Sequence, residues 1–261
     1  MSIFLAAWWA EALKARRSPI SLLSAAAFSI LPVVAGLFMV ILKNPDQARA
    51  LGIISLKAQL SAGVADWPTF YQMLTQGAAI GGAMIFAIVA AWMFGREFAD
   101  HTAKELLALP TPRWMIVSAK LVLMALWILA LTIWIAGLGL VIGTLVDIPG
   151  GSRDLSWNSF QSLLGIAALN FMLVPFVALF ASIGRGYLPG VGWAMLTVVL
   201  AQIVVVLGWG DWFPWSVPAL FSGMAGPAAE SLGAHSYAIA LLAFVIGSAL
   251  TIVWWRAADQ S

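Results

Sequence analysis

Long runs of apolar residues alternate with short polar segments along the whole chain. A helix needs roughly 20 mostly apolar residues to cross a bilayer, and six runs reach that length. Inside a bilayer every backbone polar group must be satisfied internally, so such runs predict helices. The pattern predicts an all-α membrane protein with six transmembrane helices, at about 20–42, 71–94, 115–146, 159–183, 188–208 and 235–255. No soluble domain fits between the runs, so we expect residues 1–261 to form a single transmembrane domain.

Residues 1–19 predict a further helix, which lies along the membrane surface. One of its faces carries Leu5, Trp9, Ala12 and Leu13, and basic residues follow. Such a helix suits an interface, with aromatic rings at headgroup level and basic groups toward anionic lipid. The basic residues follow the apolar ones instead of preceding them, which argues against a cleaved signal peptide. The alternative is that this stretch is the ordinary beginning of the first span.

The composition agrees with a membrane protein. Of 261 residues, 62% are hydrophobic and 9% are charged, with a mean hydropathy of +0.98, whereas soluble domains are about 25% charged. Cysteine is absent, so disulfides and thiolate metal sites are excluded. The two histidines, His101 and His235, are far apart in the sequence and have no carboxylate cluster or evident partner. We therefore expect neither a bound metal nor a catalytic triad.

Lysine and arginine residues set the predicted orientation, since they concentrate on the cytoplasmic side of membrane proteins. If the N terminus is cytoplasmic, nine basic residues lie in or beside cytoplasmic segments: Lys14, Arg16, Arg17, Arg96, Lys104, Arg113, Lys120, Arg185 and Arg256. Outside lie only Lys43, Arg49, Lys57 and Arg153. Six spans return the chain to the side where it began. Both termini are therefore expected in the cytoplasm.

The predicted spans contain few groups that could perform chemistry. Lys120 is the only charged residue placed inside a span, and we expect it at the interface, where a lysine can extend its ammonium group toward water. Amides such as Asn170 and Gln202 more often join helices than bind a substrate. An ion-coupled transporter or an intramembrane protease would need charged or catalytic groups at this depth. Any transport must therefore draw its energy from a partner on the cytoplasmic side.

One short segment, "FGREFADHTAKELLALPTPR" at residues 94–113, carries much of the charge in the middle of the chain. Its apolar residues recur at helical spacing, and its charged residues favour the other faces, which predicts a two-faced helix over 96–109. Pro110 and Pro112 end that helix before the third span. The alternative is a solvated connector without a partner.

This segment resembles a signature of the ABC transporter permeases of the second exporter type, known as ABC-2. The matching residues are Arg96, Glu97, Phe98, Thr102, Leu106, Leu107, Pro110, Arg113, Lys120 and Leu121. His101 stands where the pattern usually has glycine, which weakens the prediction of how the helix begins. The start of the chain, with Glu11, Lys14 and Arg17, is similar to permeases of bacteriocin-immunity, lantibiotic-immunity and bacitracin-type systems.

The resemblance implies a division of labour between this chain and a partner. Two copies of an ABC ATPase subunit would bind ATP and Mg, while this chain would bind no cofactor, metal or nucleic acid and would not be an enzyme. In agreement, the sequence contains no G-x-x-x-x-G-K-[ST] phosphate loop. A second permease copy or a homologous permease, with membrane lipid, would complete the assembly in the inner membrane of a bacterium.

By the same resemblance, the segment 96–109 is the coupling helix that docks the ATPase. Its expected docking residues are Arg96, Glu97, Phe98, Asp100, Thr102, Lys104, Glu105, Leu106, Leu107 and Pro110. Secondary cytoplasmic contacts are expected at Arg16, Arg17, Arg113 and Arg185. Residues 208–233 are rich in tryptophan and proline and predict a broken, re-entrant segment outside the cell, with gate candidates Trp212, Phe213, Trp215 and Pro218. An aromatic belt at the membrane surface is the alternative.

The resulting hypothesis is an exporter permease that moves a hydrophobic or amphipathic substrate, such as a peptide, drug or lipid. Two alternatives stay open. The chain could dock an ATPase and transmit force without passing a solute, or it could act as a membrane scaffold.

Overall fold

The computed structural model describes residues 3–44, 63–100, 102, 111–224, 226 and 232–257. These residues form helices and connecting turns, without a strand. The elements are α1 (Ile3–Arg17), α2 (Ile20–Lys43), α3 (Trp67–Gly77), a π-helical turn (Ala78–Gly82), α4 (Ala83–Ala99), α5 (Arg113–Leu145), α6 (Arg153–Ile183), α7 (Tyr187–Val206), a 3₁₀ turn (Gly210–Trp212), α8 (Val217–Phe221) and α9 (Ala234–Ala257).

The described residues contain six stretches that are long and apolar enough to cross a membrane: α2, α3 continued by α4, α5, α6, α7 and α9. The all-α fold and the six predicted spans are therefore confirmed. Two local signals explain where spans begin. The Asp66 carboxylate accepts a hydrogen bond from the Thr69 amide, and the Ser152 hydroxyl accepts one from the Leu155 amide. Each satisfies an amide that the first helical turn leaves unpaired.

The second span is longer than predicted and is not a uniform α-helix. It runs from Trp67 to Ala99 and changes to a π-helix at residues 78–82. This stretch contains Gly81 and Gly82, and with Gly77 it faces α2, where Leu31 and Phe28 approach within 3.1–3.4 Å of an added Cβ. The glycines therefore let α2 pack closely on the second span.

At its far end the second span also contradicts the predicted start of a separate coupling helix. Arg96, Glu97 and Phe98 belong to the last turn of α4, and Asp100 follows where that helix ends. The predicted boundary near residue 95 is wrong because the α4 hydrogen bonds continue to the Asp100 amide, which donates to the Arg96 carbonyl. Residues 103–110, the rest of the predicted coupling helix, lie outside the described residues.

α6 lies at the centre of the bundle and packs against α4, α5, α7 and α9. α2 packs on α5, and α1 packs mainly on α5 near the beginning of that span. The bundle has two ends, which are named here for use below. The α1 end contains Ala99, Arg113, the turn between α6 and α7, and Arg256. The opposite end contains Lys43, Trp67 and residues 207–224.

Candidate functional site

A buried lysine organises the α1 end of the bundle. Lys120 on α5 is completely buried. Its Nζ donates to Glu11 Oε2 of α1 at 2.8 Å, to Glu97 Oε1 of α4 at 2.7 Å and to the Met93 carbonyl at 2.7 Å. All three N–H groups of the ammonium ion are thus satisfied. Lys120 does not extend to the interface, and the prediction that it would do so is wrong, because two carboxylates reach it inside the bundle.

A second lysine closes the cluster on its exposed side. Lys14 Nζ lies 2.6 Å from Glu11 Oε1 and 3.2 Å from Glu97 Oε1, and its side chain is 32% exposed. Two lysines and two glutamates therefore balance each other in charge. We call Glu11, Lys14, Glu97 and Lys120 the charge cluster. It joins α4 and α5, which are consecutive, to α1, which is distant from both in the sequence.

The charge cluster stabilises the ionised form of its outermost carboxylate. Glu11 is buried, which alone would raise its pKa. The attraction and hydrogen bonds of Lys120 and Lys14 outweigh that effect, so the pKa of Glu11 lies below its ordinary value. Buried ion pairs are costly to desolvate, and removing one partner from them is strongly destabilising. The cluster therefore holds α1 against the bundle as long as all its members are present.

The Glu97 carboxylate retains an unused acceptor. Its Oε1 accepts hydrogen bonds from both lysines, whereas its Oε2 is buried and has no hydrogen-bond partner within the part of the chain that the structure describes. Glu97 is 2% exposed. Although the sequence predicts a docking contact there, the side chain lies in the interior, at the start of the segment that resembles a coupling helix.

The other described residues of the predicted docking set lie near Glu97. Arg96 stacks over the Trp92 ring at 4.9 Å and lies 3.7 Å from Asp100. Phe98 packs edge to face against Trp254 and Trp255 of α9. Thr102 Oγ1 donates to the Glu97 carbonyl at 3.5 Å. Lys104, Glu105, Leu106, Leu107 and Pro110 lie outside the described residues, and the docking role of the whole set stays a prediction.

The predicted secondary contacts share the α1 end. Arg16 and Arg17 are exposed at the end of α1. Arg113 begins α5 and donates to the carbonyls of Trp255 and Arg256, which joins the start of α5 to the end of α9. Arg185 lies in the turn between α6 and α7 with φ of 51°. The structure thus brings basic residues from four separate stretches of the sequence to one end of the bundle.

The gate candidates lie at the opposite end, where residues 207–224 form only short helical pieces. Trp215 packs against Phe176 and Trp193, with ring centroids 5.3 and 5.6 Å apart, and Phe213 packs against Trp215. Pro218 is buried in α8. Trp212 is exposed and stacks on His235 at 4.6 Å. Their role as a gate stays a prediction.

His235 has a partner that the sequence did not reveal. Its Nε2 lies 3.0 Å from Asp211 Oδ2, so the interpretation that it has none is wrong. The two residues are 24 positions apart, and only the turn through residues 207–224 brings them together. Among the described residues, no group of three or more histidine, aspartate and glutamate side chains could hold a metal ion.

A cavity and an open groove lie in the bundle away from the charge cluster. A cavity of about 50 Å³ between α4, α6 and α7 has a mostly apolar lining, with Asn170, Thr197 and Gln202 as its polar residues. Asn170 donates to the carbonyls of Ala78 and Ala79 in the π-helical turn at 3.4 Å, as expected of an amide that joins helices. An open groove of about 670 Å³ lies at the opposite end, between α3, α5 and α6.

The groove combines two kinds of surface. Ile133, Leu140 and Phe160 supply apolar side chains, and Arg153 with Asp154 supplies charges. Such a lining suits an amphipathic molecule more than a uniformly apolar one.

Sequence reasoning missed the roles of Glu11 and Lys14. The helical pattern of α1 drew attention to its apolar face, yet Leu5 and Trp9 are exposed, while Glu11 and Ala15 face the bundle. One signal was present in the sequence: an acidic residue among apolar ones in α1 and a lysine deep in an apolar span are each costly alone and are best explained as a pair.

Six apolar spans packed in one helical bundle define a multi-pass membrane protein. Comparison with known proteins then gives its family. The family described as ABC-2 family transporter protein matches residues 7–202. The bacitracin transport permease protein BCRB of Bacillus licheniformis is 28% identical over 179 residues, which cover 68% of this chain and 85% of that protein.

The chain therefore belongs to the ABC-2 transporter family and is a membrane permease subunit of an ABC transporter. The resemblance noted in the sequence is confirmed. Family and relative are transport subunits and not enzymes, and membership implies an ABC ATPase partner.

Proposed function

We propose that this chain is the permease of an exporter in which a separate ABC ATPase, present in two copies, drives outward movement of a hydrophobic or amphipathic substrate. ATP and Mg bind to the ATPase, and two permease copies, or this chain and a homologous permease, form the membrane part. The termini and the α1 end face the cytoplasm of a bacterial cell, in agreement with the distribution of basic residues.

The charge cluster is the observation that carries the mechanism. Glu97 lies in the last turn of α4, at the start of the segment that resembles a coupling helix, and Lys120 joins it to α5 and α1. When the ATPases close on ATP, they push on that segment. Because Glu97 is held by two ion pairs, the push moves α1, α4 and α5 together instead of bending the end of α4. The cluster thus acts as a rigid link between the docking segment and the bundle.

The substrate class is supported by two observations. The opposite-end groove is lined by both apolar and charged side chains. The relative is named a bacitracin transport permease, so bacitracin is the first compound to test. Trp157, exposed on this groove, is the residue whose truncation should change the response to substrate without changing ATPase docking.

The test separates docking from transmission. The permease is co-expressed with an ABC ATPase subunit from the same organism, the complex is purified, and ATP hydrolysis is measured in vesicles with and without bacitracin. Leu106→Asp, in the predicted docking segment, should abolish co-purification of the ATPase. Glu97→Gln, which keeps the side-chain shape and an acceptor, should retain the ATPase but lose substrate-stimulated hydrolysis.

The outcomes distinguish the alternatives. Normal co-purification of the Leu106→Asp variant would refute the docking assignment. An unchanged response of Glu97→Gln would refute the rigid-link mechanism alone. A complex that hydrolyses ATP but accumulates no substrate in inverted vesicles, across a panel of peptides, drugs and lipids, would favour the force-transmitting alternative. Failure of the unmodified permease to bind any ATPase would favour the scaffold.

A further inference from the structure

A pocket of about 430 Å³ opens at the α1 end beside the charge cluster, of which only Lys14 lines it. Its floor is the turn between α1 and α2, with Ser18 and Pro19. One wall is α1 and the other is the end of α4. We call it the interfacial pocket. Its full lining is Leu13, Lys14, Arg17, Ser18, Pro19, Trp92, Arg96 and Asp100.

The charges around the interfacial pocket do not cancel. The charge cluster contributes two lysines and two glutamates, which balance. Beyond it, Arg96 lies 3.7 Å from Asp100, whereas Arg17 has no carboxylate within 4.0 Å among the described residues. The cluster and the pocket together thus contain four cations and three carboxylates, and Arg17 supplies the excess positive charge. A ligand with a single negative charge would neutralise the pocket.

The pocket also has the mixed chemistry of a membrane surface. Trp92 forms part of its wall, and the Arg96 guanidinium lies 4.9 Å above that ring, which fixes the arginine in place. Leu13 and Pro19 add apolar surface. Tryptophan beside arginine is typical of the level at which lipid headgroups meet the hydrocarbon. α1 immediately precedes the first candidate span, and the end of α4 is the end of the second. The headgroup region of the membrane is expected at both places.

We propose that the interfacial pocket binds the phosphodiester headgroup of an anionic phospholipid with one negative charge, such as phosphatidylglycerol. Arg17 and Arg96 donate to the phosphate oxygens in the planar geometry that guanidinium groups favour. The acyl chains leave along the exposed apolar surface of α2, where Leu22 and Leu23 are exposed. Basic pockets between helices at the membrane surface recognise lipid phosphates in this way. Bound lipid would thereby hold α1 against the end of α4, next to the charge cluster.

The chain offers a matched pair of variants for the test. Arg17 lines the pocket, whereas its neighbour Arg16 is equally basic and exposed but does not line it. Both arginines belong to the predicted secondary ATPase contacts. A loss of lipid retention that is equal in the two variants would therefore not be attributed to the pocket. The measurement uses the full-length permease without its ATPase, and it therefore does not depend on the proposed transport function.

The experiment is native mass spectrometry of the purified permease with equimolar dioleoyl phosphatidylglycerol and dioleoyl phosphatidylcholine. The unmodified protein should retain phosphatidylglycerol in preference. Arg17→Gln should weaken that retention about fivefold, the factor that corresponds to roughly 1 kcal/mol per basic residue at an anionic surface. Arg16→Gln should leave it unchanged. Thermal unfolding of both variants without lipid checks that the fold is intact.

Three results would overturn the proposal. Equal retention of the two lipids would show that the headgroup charge is not recognised. Equal losses in Arg16→Gln and Arg17→Gln would show a diffuse basic surface without a pocket. Displacement of phosphatidylglycerol by millimolar inorganic phosphate would show that the site takes free phosphate and has no need of a lipid.

Discussion

Lys120 is the residue on which the α1 end depends. Its ammonium ion is completely buried, and two carboxylates and one carbonyl compensate for the lost hydration. In a medium without water, an isolated lysine or glutamate would be far more costly than the pair. The four members of the charge cluster therefore have to be considered together, since each is tolerable only because the others are present.

We predict that Lys120→Met destabilises the protein by about 3–5 kcal/mol, because it leaves Glu11 and Glu97 buried without their shared cation. Lys14→Met makes the same chemical change at a half-exposed position and should cost about 1 kcal/mol or less. Thermal unfolding of the purified variants in detergent would measure both. Adding Glu11→Gln and Glu97→Gln to Lys120→Met removes the unpaired buried carboxylates. The loss of stability in this triple variant should therefore fall toward that of Lys14→Met. Equal destabilisation by the two single lysine variants would contradict the central role of Lys120.

The lowered pKa of Glu11 gives this cluster a pH dependence of known sign. In the folded protein the carboxyl binds its proton more weakly than in the unfolded chain. Its contribution to stability is therefore complete above the unfolded pKa, about 4.3, and is lost as the pH falls through the folded pKa. We predict that the unfolding temperatures of the unmodified protein and Glu11→Gln differ constantly from pH 8 to 5 and converge below about pH 4. A difference that grows on acidification would contradict this assignment.

At the scale of elements, the second span connects the two ends of the molecule. It begins at an aspartate cap, changes to a π-helix where it packs on α2, and ends at Ala99, with Glu97 of the charge cluster in its last turn. A π-helical turn leaves some carbonyls without their usual partner. Asn170 of α6 donates to two carbonyls of this turn, those of Ala78 and Ala79.

Close contact between α4 and the start of α7 sets a second constraint. A Cβ added at Gly95 would meet the Gly186 carbonyl group at 2.7 Å and the Tyr187 amide at 3.1 Å. These are backbone atoms that cannot rotate away. The turn between α6 and α7 therefore approaches α4 at a point where only glycine fits.

We predict that Gly95→Ala destabilises the bundle by about 1–3 kcal/mol, the usual cost of overpacking, and shifts the turn between α6 and α7. Gly137→Ala is the matched control, because a Cβ there meets nothing within 4 Å and alanine favours helices. Thermal unfolding should show a lower temperature for the first variant and an equal or higher one for the second. Identical behaviour of the two variants would refute the close approach.

At the scale of the whole molecule, the sequence predicted the elements better than their contacts. The six spans follow from length and hydropathy, which are local properties. The ends of four spans agree with the prediction within two residues, whereas the second runs Trp67–Ala99 instead of 71–94 and the fourth begins at Arg153 instead of 159. The far end of the second span was underestimated because the charges of Arg96 and Glu97 and the family resemblance predict a separate coupling helix over 96–109. A charge pattern along the chain cannot show that Glu97 turns inward to a lysine 23 residues away.

The candidate site was less predictable for the same reason. Glu11 meets Lys120 across 109 residues, and Asp211 meets His235 only through an irregular turn. No periodicity in the sequence records such pairs. What the sequence could give was the segment 94–113 itself, which stood out by its charge and by its resemblance to a family signature. Only the structure shows that Glu97 of this segment is buried in the charge cluster. Glu97 therefore joins helices of the bundle and is not exposed at the surface.

The two ends of the bundle differ in chemistry, and this difference bears on orientation. The α1 end brings together Arg16, Arg17, Arg96 and Arg113, whereas residues 207–224 at the opposite end are rich in aromatic rings. Basic residues beside spans are retained in the cytoplasm during insertion. Because six spans return the chain to its starting side, one measurement at each end fixes the orientation of the whole molecule.

The absence of cysteine makes that measurement direct, since any introduced thiol is the only one in the chain. We predict that Arg153→Cys, exposed at the start of α6, reacts with a membrane-impermeant maleimide in intact cells. Arg16→Cys, exposed at the end of α1, should react only after the membrane is permeabilised. Trp255→Cys, buried in α9, is the unreactive control. The reverse pattern would place the α1 end outside, where no ATP is available to a docked ATPase, and would refute the proposed export mechanism together with the orientation.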